Sequence, residues 1–188
     1  MVKKQKKQLL IKSIQKKKNE VLKKYLKLIE KEKNSIFYEN QKDIKFAINN
    51  KLKDNLITRL VLDSKKLNSI KQTIKKIIRL NDPVDKVLEK WKRPNNLMIK
   101  KVSIPIGIIG VIYESRPNVT SDVSCLCFKS GNAVILKGGS EAVNTNKILV
   151  KLFRTALKAN KVNEDYVQFI DSKDRKLVNY MLSKMSKY

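Results

Sequence analysis

Residues 104–142 read IPIGIIGVIYESRPNVTSDVSCLCFKSGNAVILKGGSEA, and the fold is decided there. Ile104 to Tyr113 is a run dominated by β-branched side chains, the pattern of a strand buried on both faces. Gly107 and Gly110 are expected to let other backbone approach that strand closely. Pro117 and Asn118 open a helix through Phe128, because proline suits the first helical position. Ser130-Gly131-Asn132 closes it, and Ala133 to Leu136 form a short buried strand. Outward on the C-terminal side, residues 143–159 predict a helix, Tyr166 to Ile170 a strand, and Asp174 to about Lys184 a last helix. Strands alternating with helices in this order build a doubly wound parallel sheet.

On the N-terminal side the period changes to that of helices. Residues 5–33 predict a long helix whose Ile14, Val21, Leu22, Tyr25, Leu26 and Ile29 form one apolar stripe among lysines. Ser35 is expected to cap a second helix carrying Ile36, Phe37, Ile44 and Phe46. Asp63-Ser64 begins another, with Leu67, Ile70, Ile74, Ile77 and Ile78 at helical spacing and Pro83 just beyond its end. A turn at Arg93-Pro94-Asn95-Asn96 leads into a strand from Leu97 to Ser103. The fold class is α/β: a helical N-terminal region over 1–96, then an incomplete doubly wound, Rossmann-like sheet over 97–188.

Composition narrows the chemistry. The 188 residues contain no histidine, which removes Ser-His-Asp triads, Cys-His dyads and His-containing metal sites. Cys125 and Cys127 cannot form a disulfide framework and read as reduced core residues; no metal site is expected. The apolar run from Ile104 is too short to span a bilayer, and Leu9-Leu10-Ile11 is too short for a signal-peptide core. A cytoplasmic chain with no membrane partner is expected. The net charge of +26 invites a nucleic-acid reading. However, Lys supplies 37 of the 43 cations and Arg only 6, beside 17 Asn and 20 Ile, a bias that compositional drift explains. Between Ile104 and Lys147 four cations face three anions, so the segment with the chemistry is nearly neutral.

Two turns fall at the carboxyl ends of successive parallel strands, where open α/β sheets bind ligands. The first is Tyr113-Glu114-Ser115-Arg116-Pro117-Asn118 and the second Lys137-Gly138-Gly139-Ser140-Glu141. Both are expected to offer backbone N–H groups at a helix start to an anion, with Arg116 and Lys137 adding charge. Gly138 and Gly139 allow close approach of a phosphate or ribose. The chain has neither Gly-x-Gly-x-x-Gly nor a Gly-x-x-x-x-Gly-Lys-Ser/Thr loop, so spacing alone leaves two ordinary turns as an open alternative.

The blocks Tyr113-Glu114-Ser115-Arg116-Pro117-Asn118-Val119 and Lys137-Gly138-Gly139-Ser140-Glu141, with Asn81-Asp82-Pro83-Val84, Asn144-Thr145-Asn146 and the segment Ile170 to Val178, closely resemble gamma-glutamyl phosphate reductase. That family, also called glutamate-5-semialdehyde dehydrogenase, lies in the aldehyde dehydrogenase superfamily. The resemblance implies NADPH-dependent reduction of L-glutamate 5-phosphate to L-glutamate 5-semialdehyde with release of phosphate, in proline biosynthesis. It implies NADPH/NADP contacts at Glu114, Ser115, Lys137, Gly138, Gly139 and Ser140, with Lys137 at the adenosine ribose. Arg116 and Asn118 are the implied contacts for substrate. Register puts Ser115 where many superfamily members have an oxyanion-donating asparagine, so that role does not carry over.

Family members are much longer, and their nucleophilic cysteine lies in a catalytic domain that this chain lacks. The expectation is therefore no catalytic residue in the chain and no turnover by it alone, the chain being an N-terminal portion that comes from a split gene with its C-terminal half as a separate partner chain, from truncation, or from an incomplete reading frame. Strand 97–103 resembles an oligomer-interface segment, which implies a homo-oligomer. The alternatives are a truncated non-catalytic remnant, or a basic protein binding nucleic acid through its lysine-rich helix with a log-log salt slope of about 0.9 per neutralised phosphate. No specific nucleic-acid partner is expected. Nothing like a kinase domain precedes the helices, as the bifunctional pyrroline-5-carboxylate synthetase would require.

Overall fold

The computed structural model describes residues 2–172 and 174–184, with side chains from residue 16 onward except at 175 and 184. Helix α1 (Val2–Lys31) turns its stripe of Val21, Leu22, Tyr25 and Ile29 into the core. Ile14, assigned to the same stripe, lies outside the described side chains, as do Leu9, Leu10 and Ile11. Helix α2 (Lys33–Asn49) begins before Ser35, which does not cap it. Turn bonds from Glu32 N–H to Leu28 O (2.8 Å) and from Ile36 N–H to Glu32 O (2.9 Å) carry the chain from one helix into the next, so no separate cap is needed. The buried face of α2 is Ile36, Asn40, Asp43 and Ala47, and Phe46 points outward. Two polar residues thus occupy positions that an apolar pattern cannot reveal.

A short helix unannounced by the pattern, α3 (Asp54–Leu60), buries Leu60. Helix α4 (Ser64–Arg79) follows the expectation closely: Asp63 caps it by accepting from Lys66 N–H at 2.7 Å, and Leu67, Ile70, Ile74 and Ile77 are buried. Strands β1 (Val87–Lys92) and β2 (Met98–Val102) form an antiparallel hairpin around the Arg93–Asn96 turn. Asn96 takes φ +65° there, a conformation asparagine tolerates. Trp91 and Met98 stay largely exposed, and the sequence reading found only the second of these strands.

Strands β3 (Ile108–Ile112), β4 (Ala133–Lys137) and β5 (Val167–Phe169) form a parallel sheet in the order β3-β4-β5. Helices α5 (Pro117–Lys129) and α6 (Val143–Ala159) make the crossovers, and α7 (Arg175–Lys184) follows β5. The run 104–113 does not form a strand buried on both faces. Its regular part is residues 108–112, with Ile108 and Ile112 exposed and Ile109 and Val111 partly buried. Among the described residues, helices cover one face of this strand only. Gly107 is required by its φ of +121° and not by close approach, since a Cβ there would meet nothing within 4 Å.

The core lies between that covered face and the helices α1, α4, α5 and α6, so the helical region and the sheet share one apolar cluster. Tyr25, Phe153, Phe128 and Tyr166 form a chain of ring contacts through it, with centroids 4.7, 5.8 and 5.5 Å apart. Lys18 and Asp82 make a buried ion pair at 2.9 Å, beside Lys129, which donates to Asn19 Oδ1 at 2.6 Å. No helix of the described residues is long and apolar enough to cross a membrane.

Burial makes the core sensitive to alkali. Tyr25 is pushed well above the ordinary tyrosine range, first by burial, and Cys125 well above the thiol range for the same reason. Both hold their protons more tightly folded than unfolded, so the folded state binds more protons at alkaline pH and stability falls as pH rises. Lys129 is shifted down by burial and acts in the opposite direction, as a single group. Unfolding free energy should therefore decline from about pH 8.5, where an unfolded thiol begins to ionise. Urea titrations at several pH values check this, and Cys125→Ala should flatten the decline.

Candidate active site

The β3–α5 and β4–α6 turns stand side by side because their strands pair in register, with Ile112 opposite Lys137. Tyr113 N–H donates to Lys137 O at 3.1 Å and ties the two turns together. Ser115 Oγ crosses from the first turn to donate to Glu141 Oε2 in the second, and Ser140 Oγ donates to Oε1 at 2.9 Å. Burial pushes the Glu141 carboxyl up, but those two hydroxyls, a backbone N–H and the Lys137 charge outweigh it and hold the group below the usual range. A carboxylate ringed by hydroxyls is thus fixed where the two turns meet.

The glycines have unequal reasons. A Cβ on Gly139 would collide with Ser115 Oγ and come within 2.8 Å of Glu141 Oε2, so this position must be bare for the turns to touch. At Gly138 the space is taken by the protein itself, since a Cβ would lie 2.5 Å from Asn146 Nδ2 and 3.1 Å from the Tyr113 ring. Burial pushes the Tyr113 phenol up to about 12, against a 2.6 Å hydrogen bond with Thr120, so it stays protonated. Lys137 is half-buried and its Nζ donates to Gly138 O at 3.0 Å.

The expectation that both turns offer open helix N–H groups to an anion is corrected at α6. Asp43, reaching from α2, already accepts from Asn144 N–H at 3.1 Å and Thr145 N–H at 2.8 Å. A buried carboxylate sits where a phosphate would sit, and it repels one. At the other turn, Glu114 takes Arg59 at 3.1 Å and Arg116 at 3.6 Å, which offsets its own charge.

Two cavities result. One of about 240 Å³ is lined by Ser115, Gly139, Glu141, Glu114 and Arg59, with Leu52 and Leu56 closing it. The other, of about 260 Å³, lies between α4 and the start of α5, is lined by Asn118 and Asp122, and shares Arg59 with the first. Of the residues singled out from sequence, Glu114, Ser115 and Gly139 meet in the first cavity, and Asn118 lines the second. Lys137, Gly138, Ser140 and Arg116 border the turns without lining either. Sequence reasoning missed Arg59 and Glu141 as site residues; Glu141 was visible inside the second turn, whereas nothing local marks Arg59. Cys125 and Cys127 are buried on α5, and burial raises both thiols, so neither is a ready nucleophile. Among the described residues no group of His, Cys, Asp or Glu is placed to hold a metal ion.

No protein-family model matches the chain. A propionaldehyde dehydrogenase from Rhodopseudomonas palustris superposes on 90% of the chain with a TM-score of 0.60 at 14% identity, a likeness of fold alone. The fold, with its two neighbouring turns at the strand ends, is of the aldehyde dehydrogenase type. Over most of its length the chain is homologous to gamma-glutamyl phosphate reductase. The crystal structure of that protein from Thermotoga maritima matches 92% of the chain with a TM-score of 0.88 at 38% identity, and 42% of the Thermotoga chain is covered. The yeast protein from Saccharomyces cerevisiae gives a TM-score of 0.81 at 32% identity over 87% of this chain and 42% of its own. The reductase of Sulfurihydrogenibium sp. is 42% identical over 165 residues, 88% of this chain and 37% of that protein. That of Nitratiruptor sp. is 46% identical over 160 residues. The resemblance carried by the sequence motifs is borne out, and the chain spans about two fifths of the length of these relatives.

Proposed function

We propose that this chain is the cofactor-holding part of a gamma-glutamyl phosphate reductase, acting in the NADPH-dependent reduction of L-glutamate 5-phosphate to L-glutamate 5-semialdehyde and phosphate, on the route to proline. The observation that carries the reading is the cavity in which Ser115, Gly139 and Glu141 meet from two neighbouring strand ends. Its donor set fits a ribose: the Glu141 carboxylate accepts from a sugar hydroxyl, and the hydroxyls of Ser115 and Ser140 hold that carboxylate in place. The bare Gly139 lets Ser115 and Glu141 meet at the cavity wall, and Lys137 supplies positive charge at the same strand end. The residues at this cavity would hold NADPH, which when bound would supply the hydride that reduces the acyl group to the aldehyde after the covalent nucleophile has displaced phosphate. Arg116 and Asn118, at the start of α5, orient the acyl phosphate. In this reading the covalent nucleophile comes from residues outside this chain, because both thiols here are buried and raised.

The test is a fluorescence titration of the 188-residue chain with NADPH. Saturable binding is expected, and Lys137→Ala should weaken it about tenfold, the loss of one charge-assisted hydrogen bond. Absence of saturation, or equal competition by inorganic phosphate, would overturn the assignment of this cavity.

A further inference from the structure

The second cavity has a chemistry of its own. About 260 Å³ is smaller than the ~300–1,000 Å³ of pockets for drug-sized ligands and suits a small metabolite. Its lining carries both signs of charge, with Arg59 from α3, Lys66 from α4 and Asp122 from α5. Ile70, Thr73 and Pro117 supply the less polar remainder.

Asp122 is the group that the fold does not explain. Its Oδ1 is buried and has no hydrogen-bond partner, and among the described ion pairs none includes it. Burial raises its pKa against a hydrogen bond from Asn118. The residue as a whole is half-buried, but a carboxylate oxygen shut away from water without a donor is costly, and a ligand that brings a cation relieves the cost. Lys66 does not fill that role, because its Nζ donates to Thr58 O at 2.7 Å and Val61 O at 2.6 Å. Arg59 is engaged through Nη1 with Glu114. Both cations keep further N–H donors for an anion.

We infer that this cavity receives the head group of an α-amino acid, its ammonium on Asp122 and its carboxylate on Arg59 and Lys66. The inference rests on the reading of the chain as part of a glutamyl phosphate reductase and gives that substrate's far end a place. Arg59, common to both cavities, sets the head group beside the cofactor cavity. Asn118, bonded to Asp122, marks the side from which the acyl phosphate would extend toward Arg116.

The experiment is an NMR titration of the full 188-residue chain with L-glutamate, glutarate and 4-aminobutyrate, following the amides of Ile70, Thr73 and Asn118. Glutarate lacks the ammonium and 4-aminobutyrate lacks the α-carboxylate. L-Glutamate should shift these amides, and each analogue should bind about tenfold more weakly or worse. Asp122→Asn should remove the preference for L-glutamate over glutarate. The comparison of analogues on the unaltered chain decides the matter even if that variant does not fold. No shift with L-glutamate, or equal binding of glutarate, overturns the inference. A parallel NADPH titration separates the two claims, because cofactor binding without amino-acid binding refutes only the head-group site.

Discussion

Replacing Asp43 with alanine should lower stability by about 3–4 kcal/mol, a loss of about 1–2 from the cap of α6 and the rest from buried donors left without an acceptor. Asp43 is 1% exposed on α2, yet it caps a helix that begins 100 residues later in the chain. Its Oδ1 accepts from Asn144 N–H and Nδ2, the latter at 2.8 Å, and its Oδ2 from Thr145 N–H and Oγ1, the latter at 2.6 Å. Asn40 reinforces the same junction, donating to Thr145 Oγ1 at 3.1 Å and Leu60 O at 3.0 Å. Asp43→Asn keeps one acceptor oxygen and should recover part of the loss. Urea unfolding followed by far-UV circular dichroism measures both variants. A loss below about 1 kcal/mol for the alanine variant would mean that α2 does not clamp α6.

Asp82→Ala is the second large effect expected, about 3–5 kcal/mol, because it strands a buried lysine. The side chains of Lys18 and Asp82 are only 9% and 8% exposed, and Asp82 also accepts from Val84 N–H at 3.0 Å. The Asp82 charge favours the protonated form of Lys129, while Lys18 opposes it, so removing the carboxylate leaves two neighbouring cations to repel each other. Lys18→Met in the Asp82→Ala background should restore most of the stability, since the unpaired charge and not the missing bond is what costs. Denaturant midpoints of the single and double variants make the comparison. A double variant as unstable as Asp82→Ala alone would show that Asp82 acts through the Val84 turn instead.

The Lys18–Asp82 pair also shows the boundary of what can be read from sequence. Asp82 stands just beyond the end of α4, a place the Pro83 signal marked correctly, but its partner lies 64 residues away. Local signals located α4, α5 and α6 because capping, proline placement and helical spacing are fixed by neighbours a few residues apart. They missed α3 and β1. Seven residues are too few to establish a helical period, and Val87–Lys92 mixes Glu and Lys into a strand with no buried face.

The sequence alone determined the alternation of strands and helices after residue 104, and with it the parallel sheet and the two turns at its carboxyl end. It did so because β-branched runs, a proline at a helix start and glycines at turns constrain the backbone within a few bonds. Tertiary structure alone decided which groups face those turns. Asp43 closes the start of α6, Arg59 joins two cavities, and half-buried Asp122 is left with one oxygen unpartnered. Each of these comes from helices packed across distances of tens of residues. Such contacts are selected by complementary shape and charge between faces, and spacing along the chain does not encode them.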